Sequence, residues 1–129
     1  ADEMYQKVKS EIEDADIFIA AAAVSDYKPK QVSNTKTKKE NNNTHLDLVQ
    51  NIDILKEIAV SYPKKIIVGF AAETCDLEKN ALKKLHEKKI DLIIANDTSA
   101  INSDNNKVIL ISNDGQNTKI ALSSKQEIA

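Results

Sequence analysis

The stretch Ile17-Phe18-Ile19-Ala20-Ala21-Ala22-Ala23-Val24-Ser25-Asp26-Tyr27 decides the fold. Its opening run, Ile17 to Ala23, is continuously apolar and short enough to be a buried strand. Small and then polar residues follow it. Two later runs repeat the pattern: Lys65 to Ala71 leads into Gly69-Phe70-Ala71-Ala72-Glu73-Thr74, and Ile90 to Ala95 into Ile93-Ile94-Ala95-Asn96-Asp97. Buried strands with small or polar residues at their C-terminal ends are the mark of an open α/β sheet, and ligands bind in the crevice outside those ends.

The segments between the strands read as helices. Met4, Val8 and Ile12, flanked by Tyr5, recur at helical spacing over residues 2–14. Asp53 caps a helix through Ile54, Leu55, Ile58 and Ala59, which ends before Pro63. Leu77, Ala81, Leu82 and Leu85 give an apolar stripe to a helix over Leu77 to Lys89. Strand and helix therefore alternate, and the expected architecture is α/β with a mainly parallel sheet and flanking helices. Val108 to Ser112 and Lys119 to Leu122 add an antiparallel hairpin around Asn113-Asp114-Gly115. Residues 28–44 are polar and read as a loop or exposed hairpin. His45-Leu46-Asp47-Leu48-Val49 alternates as a half-buried strand, expected to pair with the lysine-bearing segment across Asn41-Asn42-Asn43.

The chain has 129 residues, 41% apolar and 29% charged, enough for one domain with a core over residues 1–129. A net charge of -2 gives no global attraction to nucleic acid or an anionic membrane, so any phosphate site is built locally. The single cysteine, Cys75, has no internal disulfide partner, in keeping with a cytoplasmic location. No apolar run reaches transmembrane length. With two glycines, Gly69 and Gly115, there is no glycine-rich phosphate loop. The chain opens without an initiator methionine, and Ser123 to Ala129 reads as a cap and first helical turn, so a fragment of a longer protein is expected.

Positive charge is concentrated in two places. Lys36 and Lys38 point to one side of an extended Lys36-Thr37-Lys38-Lys39 segment, and Lys84 and Lys88 share a helix face at i, i+4. Like charges so placed repel unless an anion lies between them; charge alone equally describes solvated lysines. Asp26 and Asn96-Asp97 follow strands and read either as turn residues or as ligands of a ribose hydroxyl or a phosphate-bound magnesium ion. Phe70 is a core residue or a base-stacking one. Glu73-Thr74 reads as the start of the next helix. His45, His86 and Cys75 lack the spacing of a zinc site or a nucleophilic pair, so no protein-held metal is expected.

In this order, Ala-Ala-Val-Ser-Asp-Tyr, Lys-x-Lys-Lys, Gly-Phe-Ala-Ala-Glu-Thr and Ala-Asn-Asp resemble phosphopantothenoylcysteine synthetase, the ligase of coenzyme A biosynthesis. Asn102-Ser103-Asp104-Asn105 extends the resemblance, which covers nearly the whole chain. It implies a Rossmann-like fold, a homodimer and a two-step ligation of 4'-phosphopantothenate to cysteine, with CTP and Mg2+, through an acyl-cytidylate. By position it implies that Lys36 is the essential lysine and that Ala20, Ala21 and Ala22 cradle the base. It further implies nucleotide contacts for Asp26, for Ile52, Asp53, Ile54 and Leu55, for Phe70, and for Lys84 and Lys88. This chain has Asn51-Ile52-Asp53 where the family usually has Asn-Pro-Asp, and the family's N-terminal half, with the first sheet strands, lies outside it. A non-catalytic nucleotide-binding or dimerisation module of the same fold is the alternative.

Overall fold

The computed structural model describes residues 1–33, 35–36, 45–97 and 103–128. Helix α1 (Asp2–Glu11) runs through a short 3-10 turn into strand β1 (Ile17–Ala20). Strands β2 (Tyr27–Pro29) and β3 (Leu48–Gln50), helix α2 (Ile54–Ser61), strand β4 (Ile66–Glu73), helix α3 (Leu77–Lys88) and strand β5 (Leu92–Asp97) follow. The chain ends in a hairpin, β6 (Asn105–Ser112) and β7 (Asn117–Ser124), and a short helix α4 (Lys125–Ile128). The main sheet has the order β1-β4-β5-β6-β7, with β1, β4 and β5 parallel and β6 opposed to both β5 and β7. The α/β reading with a hairpin addition holds.

The described residues refine two strand readings. Residues 48–50 have a partner upstream of the Lys36 segment. Their partner is β2, in the register Tyr27↔Gln50, Lys28↔Val49 and Pro29↔Leu48, which makes a separate two-stranded sheet. The hydrogen bond from Lys30 N to Asp47 O (2.8 Å) continues the pairing outward. Thr37, Lys38, Lys39 and the asparagine turn lie outside the described residues. The run from Ile17 is strand only to Ala20, and it is an edge strand of the sheet rather than a buried central one.

The reason is the distribution of cover. Register places Phe18, Ile67, Gly69, Ala71, Ile93, Ala95, Ile109 and Ile111 on one face. There Ile58 and Ala59 of α2, Ala81 and Leu85 of α3, and Ile12 after α1 close the core. The opposite face carries Ile17, Ile19, Ile66 and Phe70 with 52%, 59%, 51% and 47% of their surface open. A parallel sheet ordinarily has both faces covered; here the opposite face buries Val68 and Val108 but leaves the β1 side of the sheet open.

Gly69 sets the spacing between sheet and helix on the covered side. A Cβ built there would lie 2.7 Å from Leu55 Cδ2 and 2.9 Å from Ile90 Cδ1. The missing side chain lets α2 settle against β4, which brings the start of α2 to the end of the strands. Asp91 fastens the opposite end of the sheet. It accepts from Ile67 N (2.8 Å) and Asn113 Nδ2 (2.9 Å), tying β4 to the β6–β7 turn.

Candidate functional site

A cleft of about 230 Å³ opens where β1 and β4 end. Several chain segments wall it. The first is the descent from β1, with Ala20, Ala22 and Asp26; the second is the entry to α2, with Ile52, Asp53, Ile54 and Leu55; Phe70 of β4 and Lys88 of α3 come from two further elements. Strand β1 stops at Ala20 because the chain must leave the sheet edge there, and small side chains leave its exit open.

The first two segments are stitched together by Asn51, a residue that sequence reasoning did not single out. Its Nδ2 donates to Ser25 O (2.7 Å), and its backbone N–H donates to Asp26 O (2.8 Å). Asp26 is thereby held at the mouth of the cleft while its side chain stays exposed. The signal available in the sequence was an asparagine two residues before an N-cap, too common to identify a tertiary tie.

Asp53 works in two directions. Its Oδ1 accepts from Lys56 N (3.1 Å), the N-cap bond of α2. The same carboxylate pairs with Lys88 Nζ at 3.0 Å, across 35 residues of sequence. One turn earlier on α3, Lys84 Nζ lies 2.6 Å from Glu73 Oε1. Glu73 is the last residue of β4, not the start of a helix, and its Oε2 accepts from Asn80 Nδ2 at 3.4 Å. The Lys88–Asp53 pair is about a third exposed on both sides and is worth about 0–1 kcal/mol, whereas Lys84 is paired with a Glu73 side chain that is only 15% exposed.

The expected residues thus fall into two sets. Ala20, Ala22, Asp26, Ile52, Asp53, Ile54, Leu55, Phe70 and Lys88 line one cleft. Ala21, Lys36 and Lys84 are not among its described lining: Ala21 and Lys36 are exposed, and Lys84 turns to Glu73. Within the lining, Asp26 and Asp53 face one cation, Lys88. Asn96 and Asp97 end β5, and Asp97 is the register partner of Glu73. Among the described residues no group of three or more His, Cys, Asp or Glu side chains could hold a metal ion. No described helix is long and apolar enough to cross a membrane.

A Rossmann-like α/β protein with its cleft at the strand C-termini is the class that fold and site define. Residues 1–129 match the family described as DNA/pantothenate metabolism flavoprotein C-terminal domain, and the chain belongs to it. It is 40% identical over 133 residues to the coenzyme A biosynthesis bifunctional protein CoaBC of Bacillus subtilis (strain 168), covering 100% of this chain and 33% of that protein. The chain therefore spans about a third of the length of that relative. The crystal structure of the C-terminal domain of a coenzyme A biosynthesis bifunctional protein CoaBC superposes with a TM-score of 0.79 at 34% identity, over 99% of this chain and 56% of that one. A mutant of Cab2 solved in complex with phosphopantothenate-cysteine superposes with a TM-score of 0.54 at 25% identity, over 81% of this chain and 37% of that one.

Proposed function

We propose that this chain is part of a phosphopantothenate–cysteine ligase that uses CTP. The observation that carries the reading is the convergence, from separate segments, of Ala20, Ala22, Asp26, Ile52 to Leu55, Phe70 and Lys88 on one cleft at the strand ends. The relatives support the chemistry: one is a coenzyme A biosynthesis protein, and another was solved with phosphopantothenate-cysteine.

In this reading the nucleotide base lies against the small residues after β1, with Phe70 beside it. Lys88, and Lys84 once it turns inward, receive the phosphates. A carboxylate oxygen of 4'-phosphopantothenate attacks the α-phosphorus, and pyrophosphate leaves. The cysteine nitrogen then attacks the acyl carbon, loses a proton and displaces CMP. Charge accumulates on phosphate oxygens in the first step, where preorganised ammonium groups lower the barrier. Lys36 acts on the same phosphates from the segment beyond β2. Mg2+ is usually held by one or two carboxylates together with substrate phosphates, and Asp26 at the cleft mouth fits that habit. Bound there, the ion would offset phosphate charge.

The chain is part of a larger synthetase domain that acts as a homodimer in the cytoplasm. The open apolar face and the edge of β1, unpaired among the described residues, support the first point, because further strands and helices of the same domain would cover both. The test is nucleotide-dependent pyrophosphate release by the intact polypeptide with phosphopantothenate. CTP should support release better than ATP, and Lys36→Gln should lower turnover about 100-fold or more without changing thermal stability, as expected when a group stabilising transition-state charge is lost. Equal rates in wild type and variant would remove Lys36 from the reaction. No release with either nucleotide would leave only a binding module.

A further inference from the structure

Among the described residues, the cleft is short of positive charge for the role assigned to it. Its described lining carries the carboxylates of Asp26 and Asp53 against the single ammonium of Lys88, itself paired with Asp53. A polyphosphate entering this arrangement would meet net negative charge. The nearest additional cation on α3 is Lys84, four residues before Lys88, about 6 Å along the helix axis at 1.5 Å per residue. It does not line the cleft because Glu73 holds it.

The two partners of that pair are unequally free. Glu73 closes β4 and its side chain is only 15% exposed. Asn80 steadies its Oε2, and Asn80 Nδ2 is itself fixed on Cys75 O at 3.0 Å. The carboxylate is therefore built into the end of the sheet. The Lys84 side chain is 43% exposed and rides on a flexible four-carbon stem. If the pair opens, the lysine moves and the glutamate stays.

Resting on the triphosphate reading above, we propose that Glu73 is a positioning residue that parks Lys84 beside the cleft, and that the Lys84 ammonium exchanges this carboxylate for a phosphate oxygen when a polyphosphate enters. The exchange moves the ammonium from one carboxylate to a charge-assisted contact on a group bearing more than one negative charge, set against the cost of leaving the largely buried Glu73 carboxylate with Asn80 alone. Parking also keeps a mobile ammonium from repelling Lys88 at i, i+4 while no anion is present. Lys88 needs no such movement, since it already lines the cleft and its partner Asp53 is anchored to the backbone of α2.

The test is calorimetric titration of inorganic tripolyphosphate into the intact polypeptide as wild type, Glu73→Gln, Lys84→Ala and the double variant at one salt concentration. Lysine ammonium groups carrying 13C-methyl labels report Lys84 and Lys88 separately by NMR. Gln keeps the volume of Glu73 and an acceptor for Asn80; the NMR arm on wild type needs no variant at all. Glu73→Gln should tighten tripolyphosphate binding about fivefold or more, since the lysine no longer has to leave a carboxylate. The gain should vanish in the Lys84→Ala background, and in wild type both lysine signals should move as ligand is added. A fivefold gain in both backgrounds would mean that Glu73 acts only as a nearby negative charge, and would overturn parking. A Lys88 signal that moves while Lys84 stays still would overturn parking and leave the cleft reading standing. No heat and no movement of either signal would remove the triphosphate reading and this proposal with it.

Discussion

At the scale of single residues, Asp53 shows how one carboxylate joins folding to the site. Its acceptance from Lys56 N starts α2, and its pairing with Lys88 places an ammonium in the cleft. The two effects are separable. Asp53→Ala should lower unfolding free energy in urea by about 1 kcal/mol, the usual value of an N-cap side chain, whereas Asp53→Ser keeps a capping oxygen and should recover most of that loss. Equal losses would show that the ion pair, not the cap, carries the stability. The cap was legible in sequence because Asp53 stands just before an apolar helical stripe. The ion pairs were not. Lys84 and Lys88 could be read as two like charges on one helix face, but the carboxylates that neutralise them lie 11 residues away on β4 and 35 residues away before α2, and nothing in the spacing connects them. Asn51 escaped for the same reason, since its partners are Ser25 and Asp26.

At the scale of elements, close contact between β4 and α2 depends on Gly69. Gly69→Ala would push a methyl into Leu55 and Ile90 together. Both contacts are side-chain tips, so the fold should survive with a loss of about 1–3 kcal/mol, the range for overpacking a core, read as a lower Tm. An unchanged Tm would mean that both tips shift freely. The elements most legible in sequence were those with local causes: the apolar runs of β4 and β5, the stripe of α3, and the turn at Gly115, whose φ of 88° needs a residue without a side chain. Ser124 and Glu127 also form a reciprocal cap at α4, with Glu127 Oε2 accepting from Ser124 N (3.0 Å) and Ser124 Oγ accepting from Glu127 N (3.3 Å). The β2–β3 pair was not legible, because alternation in residues 45–49 announces a strand without naming its partner.

At the scale of the whole molecule, the sheet is asymmetric. One face is closed by α1, α2 and α3; the other leaves Ile17, Ile19, Ile66 and Phe70 open beside the edge of β1, unpaired among the described residues. The apolar run from Ile17 predicted burial on both sides, and within this chain it receives burial on one, since hydrophobicity shows that a residue seeks cover without showing what supplies it. The cleft lies at the rim of that asymmetry, where Phe70 belongs both to the open face and to the cleft wall. Ligation of the proposed kind requires that this cleft be where a nucleoside triphosphate binds. The most direct measurement is an amide NMR titration of the intact polypeptide with CTP. Binding as described predicts that the amides of Ala20 to Asp26, Ile52 to Leu55, Phe70 and Lys88 shift together with one dissociation constant, while those of the β6–β7 turn around Gly115 remain in place. Shifts confined to other surfaces, or none at millimolar CTP, would contradict it.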